Sequence, residues 1–124
     1  MVKLVYVIRR RADLSPEEFR RYWLEVHAPK VTNVAKDIRA RRYVQSHALD
    51  TPLNQAFAES RGLSPTYDGI TEVWWDSLDD LVAGASTPEG SAAYEMLLED
   101  ERQFIDHAAS TIFMTEEHEI FDMT

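Results

Sequence analysis

An α+β fold with the element order β-α-β-β-α-β is predicted by three observations. Strand-like runs occur at residues 2–9, 41–48, 69–76 and 110–121. A capped amphipathic helix separates the first two, and a longer helix separates the last two. This is the split pattern of ferredoxin-like folds, with a four-stranded antiparallel sheet and helices on one face.

The first run, VKLVYVIR, is β-branched and aromatic. Its near-continuous apolar character suits a central strand. In the following LSPEEFRRYWLEV, Ser15 suits an N-cap, Pro16 the first helical position, and Glu18 completes a capping box. Phe19, Tyr22, Trp23 and Val26 then share one helical face. Pro29 is expected to interrupt this helix, with VTNVAKDI continuing as a further helical piece.

The second strand, RRYVQSHA, places Tyr43, Gln45 and His47 on one face and Arg42, Val44, Ser46 and Ala48 on the other. Leu49–Asp68 is a long connection, expected to hold a helical turn or two around Leu53–Ser60 and to serve as a lid or binding loop. Asp68-Gly69 marks a turn into the third strand, with Ile70, Glu72 and Trp74 on one face and Thr71, Val73 and Trp75 on the other. A short helix, LDDLVAGA, follows Ser77. Thr87-Pro88-Glu89 caps a longer one reaching about His107, with an apolar stripe of Tyr94, Leu97, Leu98, Phe104, Ile105 and Ala108.

The chain has 124 residues, which corresponds to one domain spanning 1–124. The absence of cysteine excludes disulfides, thiolate metal sites and thiol catalysis. The net charge of −9 argues against nucleic acid as a partner. That charge is unevenly placed. Residues 1–62 hold twelve Lys/Arg and seven Asp/Glu, whereas residues 63–124 hold one and fifteen. The two halves can attract within one fold as a solvated surface, or a basic half of one subunit can face the acidic half of another and fix the register of a dimer. The apolar start precedes rather than follows its arginines, unlike a secretory signal, and no stretch approaches a membrane span. The expected location is cytoplasmic.

The sheet face without helices would meet water in a monomer. Trp74, Ile70, Tyr43 and Tyr6 are expected to lie on it, an aromatic patch that marks an interface or a binding site. Two such faces packed together would enclose a cavity.

The segments LSPEEFRRYWLEVHAP, RRYVQSH, YDGITEVWWDS and FIDHAASTIFMTEEH resemble the EthD family in order and spacing, over about residues 3–119. The resemblance implies a homodimeric α+β barrel, and enzymes or accessory proteins that act on hydrophobic, often aromatic or polyketide-like, small molecules. It speaks to architecture more than to reaction.

His27, His47, Glu72 and Tyr43 are the candidate catalytic residues. Imidazole titrates near neutrality and can move a proton in either direction. Glu72, mid-strand between Ile70 and Trp74, needs water, a partner or a ligand, and is expected to pair with an arginine such as Arg41 or Arg9, to orient His47 or His27, or to act as a base itself. Tyr43 can polarise a carbonyl. Gln45, Ile70, Trp74 and Tyr6 are the candidate substrate-binding residues, Trp74 either as a stacking platform or as a dimer anchor. His27, His47 and Glu72 together would make a two-histidine, one-carboxylate ligand set, but no short-range ligand motif supports it, and neither a metal nor a cofactor is expected. Phosphate-cradling glycine loops and hydrolase nucleophile motifs do not occur. The expected chemistry is cofactor-independent acid/base catalysis: dehydration, isomerisation or a related lyase step. Cofactor-free oxygenation and non-catalytic metabolite binding are the rivals.

Overall fold

The computed structural model describes residues 1–124. Its elements are β1 (Val2–Ile8), α1 (Pro16–Arg21), a π-helical turn (Tyr22–His27), α2 (Ala28–Val34), β2 (Arg42–His47), α3 (Pro52–Arg61), β3 (Gly69–Trp75), α4 (Leu78–Ala85), α5 (Pro88–Glu101) and β4 (Thr111–Thr115). The strands form one antiparallel sheet in the order β2-β3-β1-β4. No helix is long and apolar enough to cross a membrane.

The expected capping box at Ser15 and Glu18 is present. Pro29 does not interrupt the helix as expected. Proline has no N–H to donate and crowds the carbonyl four residues back. The turn just before it widens instead, so that Ala28 N–H reaches Trp23 O, and α1, the π turn and α2 run on continuously. β4 is also shorter than the 110–121 run, because its pairing with β1 ends at Thr115.

Strand pairing fixes the faces. Val73 and Trp75 pack with Val31, Ile38, Ala93 and Leu97, so odd-numbered β3 residues face the helices. Their β2 partners follow: Tyr43 lies opposite Val73, Gln45 opposite Thr71 and His47 opposite Gly69. In β1, Tyr6 lies opposite Thr71. Tyr6, Tyr43, Gln45 and His47 therefore sit beneath the helices, which corrects the expectation that they share a face with Trp74. Lys3, Val5, Val7, Arg42, Val44, Ser46, Ile70, Glu72 and Trp74 form the helix-free face.

A second cluster joins Ile8, Phe19, Trp23, Phe104 and Ile105 between the sheet and the helices. Trp23, Trp75, Phe19, Phe104 and Ile8 have almost no exposure. Each such side chain contributes about 1.5–3 kcal/mol by leaving water. α3 stands apart: none of its residues is buried, and with the loop after it this helix lies near the end of the sheet that holds Val7, Gly69 and Ile70.

Candidate functional site

The π turn has two consequences for nearby polar groups. It brings residues five apart onto one side, whereas on an α-helix they diverge by about 140°. Tyr22 and His27 therefore reach the same carboxylate, Asp100 of α5. Tyr22 Oη donates to Oδ1 at 2.5 Å, His27 Nδ1 lies 2.7 Å from Oδ2, and Lys30 Nζ donates to Oδ1 at 2.8 Å. Burial pushes the Asp100 carboxyl up, but hydrogen bonds from Lys30, Tyr22 and His27 outweigh it and hold the group below its ordinary value. Desolvation, and then the same contact with Asp100, pushes the Tyr22 phenol up to about 12. A carboxylate can only accept, so the His27 proton sits on Nδ1. Asp100 was missed from the sequence. Its signal was the 4-3-4 spacing of Ala93, Leu97, Asp100 and Phe104, all buried.

The second consequence is a carbonyl directed at β2. Trp23 O accepts both Ala28 N–H and Gln45 Nε2, the latter at 2.9 Å. Because a carbonyl cannot donate, the amide nitrogen of Gln45 must face it. Gln45 Nε2 also donates to Tyr43 Oη at 2.7 Å. The amide oxygen then faces His47 Nε2 at 2.8 Å, so that ring nitrogen carries the proton and Nδ1 is bare. Nδ1 makes no hydrogen bond within the chain and is not sealed from solvent. The ring stacks on Trp23 at 4.4 Å between centroids. Gly69 makes room for that indole, since a Cβ there would lie 2.5 Å from it.

His47 stands between two cavities. One is a groove of about 810 Å³, floored by Val7 and Ile70 and walled by Leu49, Leu53, Phe57 and Leu63. The other is a cleft of about 360 Å³ formed by Leu24, Ala28, Tyr43, Gln45 and His47. Burial, and then the positive charge of Arg20, lower the His47 pKa below 6.5. Burial raises that of Tyr43, whose phenol therefore stays protonated.

The other predicted residues are dispersed. Tyr6 donates to Glu101 Oε1 at 2.9 Å beneath the helices. Glu72 is paired with Lys3 Nζ at 2.7 Å rather than with Arg41 or Arg9. It lies across the sheet from both histidines, so it orients neither, and the three do not make a ligand set. Trp74 is on the helix-free face as expected but is not an open platform. Arg42 and Lys3 lie over its ring at 4.6 and 5.4 Å, and its Nε1 donates to Glu117. Ile70 lines the groove, whereas His27 lines neither cavity.

Comparison with known proteins agrees with this architecture. An ethyl tert-butyl ether D (EthD) family protein from Bacillus halodurans superposes with a TM-score of 0.64 at 19% identity, covering 95% of this chain and 99% of that one. A dimeric protein with a ferredoxin-like fold from Bacteroides fragilis gives 0.58 at 17% identity, covering 94% and 95%. A protein from Deinococcus radiodurans, provisionally described as an antibiotic biosynthesis monooxygenase, gives 0.54 at 14% identity, covering 100% and 99%. No curated protein matches the chain. The EthD domain profile matches residues 11–108, and the chain belongs to the EthD family.

Proposed function

We propose that this protein is a cytoplasmic, homodimeric acid/base enzyme acting on a hydrophobic, ring-bearing carbonyl compound, with His47 as the base. The observation that carries this reading is the bare Nδ1 of His47, set by the Trp23–Gln45 relay at the edge of an apolar groove. The base takes a proton from the carbon beside the substrate carbonyl, and the C–H electron pair passes into an enolate. The imidazolium then returns the proton to a departing hydroxyl, giving dehydration, or to another carbon, giving isomerisation. Tyr43, kept protonated by burial, is the hydrogen-bond donor of the adjoining cleft. His27 belongs to the Asp100 clamp, which fixes the helix carrying Trp23. Dimeric relatives support pairing, and we place it on the helix-free face, where it buries Val5, Val44 and Ile70.

The test is deuterium exchange at the central methylene of benzoylacetone in D₂O, followed by NMR. The reading requires exchange above the buffer rate, and a rate equal to buffer contradicts it. A second reading has the same enolate react with oxygen, and the Deinococcus relative favours it. Oxygen uptake in the same mixture separates the two.

The rate should fall with an acid limb below pH 6.5, where imidazolium replaces the base. Arg20 lowers this pKa, so Arg20→Gln is expected to move the limb to higher pH. An unmoved limb would mean that another group titrates.

A further inference from the structure

Beyond β4 the chain leaves the sheet on its helix-free face. Glu117 accepts from Trp74 Nε1 and lies 3.7 Å from Lys3 Nζ, which pins the chain at that end of the sheet. Residues 118–124 then run on without regular structure. Ile120, Phe121 and Met123 are 86, 73 and 86% exposed and are interspersed with Glu119 and Asp122. Three large apolar side chains in water within one short acidic stretch call for a covering surface.

A surface of matching character lies at the other end of the same face. The groove wall formed by Leu53, Phe57 and Leu63 is more than half exposed. No carboxylate lines the groove, while three guanidinium groups surround it. Arg61 lies over Phe57, Arg9 lies over Tyr67, and Arg20 donates to Ala48 O. An apolar channel with a cationic rim thus complements an apolar segment carrying acids.

We propose that residues 118–124 of one protomer lie along the α3 wall of its partner's groove, and reciprocally, so that each tail roofs the other subunit's His47. A two-fold axis between the paired sheets and across their strands brings the Trp74 end of one sheet over the groove end of the other. The interface is then isologous, and each site is incomplete without its partner. The roof excludes water from a channel that otherwise opens along its length. The inference rests on the pairing proposed above, not on the chemistry of His47.

The chain's lack of cysteine allows a direct test with Phe57→Cys and Phe121→Cys combined in the full-length protein, both positions being exposed. Under mild oxidation the double variant is expected to form a covalent dimer at least about tenfold faster than either single variant, because docking raises the effective thiol concentration. Peptide mapping should show a 57–121 link. Loss of both thiols in a covalent monomer would mean that the tail docks on its own groove, and free thiols would mean that it does not dock; either overturns the proposal. Light scattering on the unmodified protein reads the pairing separately. A dimer without the cross-link removes only the tail contact, whereas a monomer removes the pairing itself.

Discussion

Replacing His47 by alanine is expected to lower methylene exchange by about 10²–10⁴-fold, the usual contribution of a positioned base, while thermal stability changes little beyond the lost stacking on Trp23. The argument rests on proton inventory. Trp23 O can only accept, so it orients the Gln45 amide; the amide oxygen can only accept, so it places the imidazole proton on Nε2. Gln45→Leu tests the chain of reasoning separately. It leaves the imidazole in place but removes the partner that selects the tautomer, and the rate should fall to an intermediate level. Retention of the full rate in His47→Ala would move the base elsewhere.

Asp100→Ala is expected to cost about 3–5 kcal/mol, read as a lowered midpoint in urea. Its carboxylate is 5% exposed and receives Tyr22, His27 and Lys30. Removing it leaves the half-buried phenol and the buried imidazole unpaired, and a buried polar cluster broken from one side is strongly destabilised. Because the folded carboxyl titrates below its ordinary 3.8, the clamp stabilises fully above about pH 4 and loses this contribution as pH falls through the folded value. The wild type should therefore lose stability on acidification more steeply than Asp100→Asn, which has no carboxyl to titrate. Equal acid slopes would show that other carboxylates dominate. The clamp also links the two parts of the account, because it holds to α5 the same π turn whose Trp23 carbonyl orders Gln45.

The fold was legible because its signals are local. The Ser15–Glu18 capping box, the Asp68-Gly69 turn and the alternation in β3 each specify their own segment. What alternation does not specify is which side of a strand meets the helices. β2 has mixed faces, with Tyr43, Gln45 and His47 on one and Arg42, Val44 and Ser46 on the other. Polarity alone favoured placing the first set on the open surface. Underneath, Trp23 O, which still accepts Ala28 N–H in the widened turn before Pro29, also satisfies the Gln45 amide. In β1 the run of apolar residues left no polar marker for the face of Tyr6. Asp100 was hidden by its neighbour: an acid at 100 or at 101 breaks the α5 stripe almost equally well, and only packing against Tyr22 and His27 decides that 100 is inside. Trp74 was placed on the correct face, but Lys3, Arg42 and Glu117, from three separate segments, cover it.

The protonation state of His47 is the most direct test of the central claim. Long-range ¹H–¹⁵N correlation on the ¹⁵N-labelled protein at pH 7 should show a neutral ring with the proton on Nε2 and an unprotonated Nδ1, titrating below pH 6.5. A ring protonated on Nδ1, or one that is still cationic at pH 7, would contradict it.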